Sequence, residues 1–317
     1  MLFAQDYIAI GMKLFSCYPG GILYTCRWFI GGPFVVSGIL KVATCQFAVS
    51  ASVEDNCGAI CAFIEDAAAS GADIVHFSEC ALSGYASVDL HDLDDYDWDL
   101  LVAATEKVMA LAAELKIWVV LGSMHRLTAP NKPHNSLYLI DPAGKIVDRY
   151  DKRFCTPNDL DNYSPGGRFV DFEINGLKCS LLICFDLRFP EIYRKLRTRG
   201  VDCIFQSFYN ARQIGPSIHT HIMQQTMQCR AATNYFWVSM TNSSAPVSPY
   251  PGCFIQPDGE IIAQLKQNTP GMMINTIDKN KSFYDSTADF RDMAIGGALS
   301  NGPCPSDDPR SKDTTKL

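Results

Sequence analysis

From Lys41 onward the chain alternates short apolar runs with stretches of helical spacing, and this alternation constrains its fold most tightly. KVATCQFAV at 41–49 reads as a buried strand, and 54–70 places Ile60, Phe63, Ile64 and Ala67 on one face of a helix. ADIVHF is a second short strand, 98–115 a second helix and IWVVLGSMH a third strand. NSLYLIDPAGKIVDRYDK reads as two strands joined by a Pro-Ala-Gly turn, and GRFVDFEINGLKCSLLICFD holds a hairpin turning at Asn175-Gly176. A helix over 190–199, the strand VDCIFQSF, a helix over 217–233, the strand YFWVSMTN and a hairpin turning at Asp258-Gly259 complete the series. Neither linker nor repeat divides this stretch. The pattern predicts one α/β domain over 41–285, with mixed sheets because hairpins interrupt the strand–helix alternation.

The two ends differ from this body. Residues 1–40 carry only Asp6, Lys13 and Arg27 as charges and lack the ordered basic, apolar and small-residue segments of a secretory leader. The uncharged run after Arg27 falls short of the ~20 residues that span a bilayer. It is read as an atypical apolar extension without membrane contact. The Pro, Ser and charge content of 286–317 predicts a weakly structured tail or an arm borne by an oligomer partner.

A net charge of −7 over 317 residues excludes the clustered basic footprint of a nucleic-acid surface. Thirteen cysteines, an odd number with Cys45, Cys179 and Cys203 inside apolar runs, indicate a reducing, cytoplasmic setting. There is no C-x-x-C, and no His stands at zinc spacing from Cys57 and Cys61, so neither a metal nor an organic cofactor is expected.

Three polar residues end apolar or β-type runs: Glu79 after ADIVHFS, Lys152 after KIVDRYD and Cys184 after SLLI. Strand ends are where α/β folds gather catalytic groups. Alone, each has a bland reading as an ion-pair member, a solvated charge or an inert thiol. Together they supply a thiol nucleophile, a carboxylate base and a cation for the oxyanion, the last assisted by the Phe185 backbone N–H.

On FSECALSGY around Glu79, DRYDKRF around Lys152, YSPGGRF at 163–169 and CFDLRFPE at 184–191, the chain resembles the nitrilase superfamily of carbon–nitrogen hydrolases. The resemblance implies a four-layer α-β-β-α sandwich assembled into homodimers or larger homo-oligomers. It implies Glu79 as general base, Lys152 as the stabilising cation and Cys184 as the nucleophile of a thioester mechanism. Phe-Asp-Leu-Arg-Phe-Pro-Glu after the cysteine is similar to the amidase-type branches, so a small amide or N-carbamoyl substrate releasing ammonia or an amine is expected. Nitrile hydrolysis by the same triad, and a catalytically silent oligomeric scaffold, are the alternatives.

One departure stands out. Where members of the superfamily often carry a second glutamate, this chain reads CTPNDLDNYSPGG, with Asp159 the stand-in and Asp161 the alternative. Tyr209, Asn210 and Arg212 follow a strand end and are candidates for substrate recognition, Arg212 for gripping a carboxylate. Asp186, Arg188, Pro190 and Glu191 are read as scaffold: a cap, an ion pair and a first helical turn. His125 and His134 flank the loop before NSLYLI, and either is a candidate to line the pocket.

Overall fold

A computed structural model describes residues 37–86 and 88–316. The apolar extension read over 1–40 lies outside the described residues except for 37–40. The chain divides between Val35 and Val36, and every described element belongs to the larger unit.

The first half runs β1 (Ile39–Gln46), α1 (Val53–Ala69), β2 (Ile74–His76), α2 (Trp98–Leu115), β3 (Trp118–His125), β4 (His134–Ile140) and β5 (Ile146–Asp151). Local chemistry sets these bounds: the Ser52 hydroxyl accepts from the Asp55 N–H at the start of α1, and the Asp97 carboxylate accepts from Leu100 N–H at the start of α2. The second half runs β6 (Asp171–Ile174), β7 (Leu177–Ile183), α3 (Pro190–Thr198), β8 (Cys203–Ser207), α4 (His219–Asn234), β9 (Trp237–Thr241), β10 (Cys253–Ile255) and β11 (Ile261–Gln264). The chain then returns as β12 (Gly271–Asp278) to pair antiparallel with β1.

Two six-stranded sheets result, ordered β12-β1-β2-β3-β4-β5 and β11-β10-β9-β8-β7-β6. Their pairing schemes match. β1, β2 and β3 are parallel, as are β7, β8 and β9, and each trio is flanked by antiparallel strands. Along β1, Leu40 and Val42 enter the core shared with the second sheet, whereas Ala43 and Cys45 pack with α1 and α2. Burial on both faces explains why these strands read as nearly continuous apolar runs. Residues of α3 and α4, among them Tyr193, Leu196, Met223 and Met227, cover the second sheet. The layers are therefore helices, sheet, sheet, helices, the sandwich that the resemblance implied.

The seam between the sheets also holds a polar network. His76 Nδ1 and Nε2 lie 2.8 Å from the hydroxyls of Ser239 and Ser207, and Ser239 lies 2.7 Å from Thr44 Oγ1. Burial pushes the imidazole down to about 3, so it stays neutral.

Two elements depart from the sequence reading. Strand β12 has no counterpart there because an edge strand with one half-exposed face lacks a full apolar run. The tail is not wholly weak: α5 (Ala288–Ile295) is pinned by Arg291, which donates to Thr233 O (3.0 Å) and pairs with Asp285. Eleven cysteines among the described residues are free thiols. No helix among those residues is long and apolar enough to cross a membrane.

Candidate active site

Strand β2 delivers Glu79 into the seam. The loop carrying it lies directly on β3 at Gly122, where a Cβ would stand 1.9 Å from the Ser78 carbonyl oxygen. The Glu79 side chain has no exposed surface. Its Oε1 accepts from Lys152 Nζ and Asn135 Nδ2, both at 2.7 Å, and its Oε2 from the Tyr209 backbone N–H at 2.8 Å.

Lys152 is the residue after β5. Its N–H donates to Asn135 O and its carbonyl accepts from Gly166 N–H, each at 2.8 Å. Gly166 thus explains the YSPGG motif: a Cβ there would lie 2.3 Å from the Asp151 carbonyl, so only glycine lets this loop close on the strand end. Gly166→Ala is expected to push Lys152 out of register and to cost about 1–3 kcal/mol of stability. Thermal unfolding alongside hydrolysis checks this, and a variant equal to wild type in both would show that the contact does not hold Lys152.

The Lys152 ammonium has a second anion. Asp159 Oδ2 lies 2.8 Å from Nζ and also accepts from Thr156 N–H at 2.8 Å, while Oδ1 accepts from the Tyr85 hydroxyl. Asp161 lies exposed on the same short 3-10 turn, so of the two aspartates only Asp159 reaches the lysine.

Cys184 caps β7 at φ 37°, a left-handed conformation that a side chain adopts only under constraint. Asp186 supplies that constraint. Its carboxylate accepts from Ile183 N–H (3.0 Å), Phe154 N–H (3.0 Å) and the Tyr150 hydroxyl (2.8 Å), clasping the turn rather than capping α3. Pro190 does open α3. Phe185, next after Cys184, is half-buried with its ring edge-on to Phe189. Cys184 is 8% exposed and its sulfur lies 4.0 Å from Asn210 Nδ2.

The environments drive the ionisable groups apart. Burial raises Glu79 above the ordinary carboxylate range even against the pull of Lys152. Burial acts on Asp159 in the same sense, but the Lys152 ammonium and the Tyr85 hydroxyl hold it below its ordinary value. Burial also opposes the charge on Lys152, yet Glu79, Cys184 and Asp159 together lift it well above normal. Burial lifts the Cys184 thiol, with Lys152 opposing. Lys152 thus pairs with Asp159, held below its ordinary value, and with Glu79, held above its own.

Of the recognition candidates, Asn210 faces the thiol. Its Oδ1 accepts from the Tyr250 hydroxyl, and Asn242 fixes its backbone through Asn210 N–H to Asn242 Oδ1 (2.7 Å) and Asn242 Nδ2 to Asn210 O (3.1 Å). Tyr209 stacks on Tyr85, centroids 4.8 Å apart and planes at 12°. Arg212, expected to await a carboxylate, already has one: Nε donates to Asp89 Oδ1 at 2.8 Å and Nη2 to Val49 O at 3.0 Å. Arg188, read as scaffold, has no carboxylate partner among the described residues. It lies 3.4 Å from His219 Nδ1, and Glu191 is exposed. His125 bonds to Tyr138 and His134 to the Ser164 carbonyl, away from the cluster.

Asn135, Asp89, Asn242 and Tyr250 do not stand out in the sequence as site residues. Asn135 alone leaves a signal there, as an amide at the head of an apolar strand run. Tyr85 sits inside FSECALSGY, where nothing marks it for a role of its own.

The fold thus gathers a buried glutamate, lysine and cysteine at the seam of an α-β-β-α sandwich. The sequence profile of the carbon-nitrogen hydrolases matches residues 41–282, and the chain belongs to that family. It is 31% identical over 218 residues to a hydrolase in the agr operon of Staphylococcus lugdunensis, covering 65% of this chain and 87% of that protein. The human omega-amidase is 26% identical, covering 71% and 83% respectively. The 2-oxoglutaramate amidase of Bacillus subtilis is 28% identical, covering 61% and 73%. An amidase from Nesterenkonia sp. superposes with a TM-score of 0.68 at 20% identity, covering 80% of this chain and 94% of that one.

Proposed function

We propose that the protein is an amidase in which Glu79, Lys152 and Cys184 perform the chemistry and Asp159 keeps Lys152 charged and in place. The observation that carries this reading is one buried ammonium held 2.7 Å from Glu79 and 2.8 Å from Asp159, in the cluster whose charges act on the buried Cys184. Glu79 takes the thiol proton, and the Cys184 sulfur attacks the amide carbon. The Lys152 ammonium and the Phe185 N–H stabilise the oxyanion. On collapse the C–N bond breaks, and the proton on Glu79 leaves with the nitrogen as ammonia. Glu79 then deprotonates a water that attacks the thioester, and the C–S bond breaks to return thiol and release the acid. Asn210 and Tyr209 line the approach to the thiol.

A cysteine only 8% exposed suits a short substrate. Arg188, which meets His219 Nδ1 and has no carboxylate partner among the described residues, suits a second, anionic end, since a guanidinium grips a carboxylate in a bidentate way. The substrate class is accordingly the monoamide of a short dicarboxylic acid, in line with the names of two relatives, omega-amidase and 2-oxoglutaramate amidase. Assembly into dimers or larger oligomers, and a reducing cytoplasmic setting that keeps the thiol free, belong to the same reading.

Ammonia release across dicarboxylic monoamides, neutral amides, N-carbamoyl compounds and nitriles tests it. Dicarboxylic monoamides should be turned over best. Arg188→Gln should raise their KM about 10-fold to 100-fold, the worth of one charge-assisted hydrogen bond, and leave neutral amides unaffected. Equal KM values for both classes in the variant and in wild type would remove Arg188 from recognition.

A further inference from the structure

Asp89 belongs to an acidic surface stretch, DLHDLDDYDWD, yet its side chain has no exposed surface. Its Oδ1 accepts from the Tyr209 hydroxyl and from Arg212 Nε, both at 2.8 Å, and its Oδ2 from the Tyr85 N–H at 3.1 Å. Arg212 neutralises it from a left-handed backbone at φ 56°, a posture that its two anchors, Asp89 and the Val49 carbonyl, hold in place.

Both tyrosines reach onward to the reacting cluster. The Tyr85 hydroxyl donates to Asp159, and the Tyr209 N–H donates to Glu79 at 2.8 Å. One buried carboxylate thus ties together two loops, and each loop holds one of the two anions that share Lys152. The stacked rings of Tyr85 and Tyr209 make the tie stiff. Pulling either loop away changes which anion Lys152 favours, and with it the field at Cys184.

We infer that Asp89 is a positioning residue for the hydrolysis: through Tyr85 and Tyr209 it sets how Lys152 is shared between Asp159 and Glu79, and so the reactivity of the Cys184 thiol. The inference rests on the reading of Cys184 as nucleophile. Asp89→Asn keeps the shape of the side chain but removes the charge that holds Arg212, and one amide oxygen cannot accept from all three donors. Asp159 then loses the Tyr85 hydroxyl and draws Lys152 toward itself, away from the sulfur. Tyr209→Phe removes a single hydrogen bond to Asp89 and keeps the ring stack.

The test is the rate of Cys184 alkylation by iodoacetamide against pH on the full chain, with Cys184→Ala as the background of the other thiols and thermal unfolding in parallel. Asp89→Asn should lower the neutral-pH rate about tenfold or more, the scale of a small misplacement of a reacting group. It should also move the midpoint of the pH profile upward by about half a unit or more. Tyr209→Phe should shift the midpoint in the same direction by less, and the double variant no further than Asp89→Asn alone. A lowered melting temperature with an unmoved midpoint is what a merely structural role gives, and it would overturn the inference. If Asp89→Asn does not fold, Tyr209→Phe decides by the same midpoint. Wild type labelling no faster than Cys184→Ala would remove the nucleophile and this inference together. A fast wild-type thiol with an unchanged profile in Asp89→Asn would remove this inference alone.

Discussion

Replacing Cys184 by alanine is expected to eliminate amide hydrolysis, with turnover falling by about 10⁴-fold or more, while the chain stays folded. In the proposed mechanism the sulfur is the atom that forms the new bond, and no other group of the cluster takes that part. Asn210 offers an amide nitrogen that is a donor, and Asp159 is committed to Lys152. The residual rate belongs to water attacking a carbonyl polarised by the surviving donors. Alanine tolerates the turn no worse than cysteine, and the lost sulfur lies at the edge of the core, so the stability change should stay within about 1 kcal/mol. Ammonia release and a thermal melt on the same preparation decide the matter. Turnover at the wild-type level would end the assignment of the nucleophile.

Lys152→Met should be worse, because it removes two functions at once. The methionine stem fills the volume but leaves Glu79 and Asp159 buried without their shared cation. Breaking a buried ion pair by removing one partner typically costs about 3–5 kcal/mol. Losing the cation over the oxyanion should lower turnover by about 10³-fold. The pH dependence has a definite sign. Burial already raises Glu79, and Lys152 is the foremost group holding Asp159 down, with Tyr85 and the Thr156 N–H assisting. Without the ammonium both carboxyls titrate above their unfolded values in the folded chain. Their contribution is then present below those unfolded values, about 4, and lost as pH rises through the higher folded ones. The variant should therefore trail wild type most near neutrality and recover part of the gap in acid. A deficit that widened on acidification would contradict the shared-cation geometry.

Much of this is legible in the residues, for identifiable reasons. Strands β1, β7, β8 and β9 announce themselves because burial on both faces makes their runs mostly apolar, and Cys184 stands out where one of them ends, as Glu79 and Lys152 do after β2 and β5. The boundary of α2 at 98–115 is readable because Asp97 caps it and Lys116 turns left-handed after it. The choice between Asp159 and Asp161 is not. Both stand on one three-residue turn, and only the turn's orientation, fixed by Thr156 and Lys152, separates a buried carboxylate from an exposed one. Arg212 misleads because its partner, Asp89, lies 123 positions away in a stretch that reads as a solvated acidic face. Arg188 misleads the other way: a glutamate three residues on suggests a partner that the helix directs outward. Local patterns report what a residue's own segment requires, whereas these two depend on which loops meet at the seam.

The two matching sheets have a consequence for when this chain becomes an enzyme. Glu79, Asn135 and Lys152 come from the β1–β5 half, and Cys184, Tyr209 and Asn210 from the β6–β11 half. A chain with only its first sheet formed owns a base and a cation but no nucleophile. A chain with only its second owns a thiol with neither. On the proposed reading, closure of the sandwich is what brings base, cation and nucleophile together, and because β12 completes the first sheet this waits for residues 271–278.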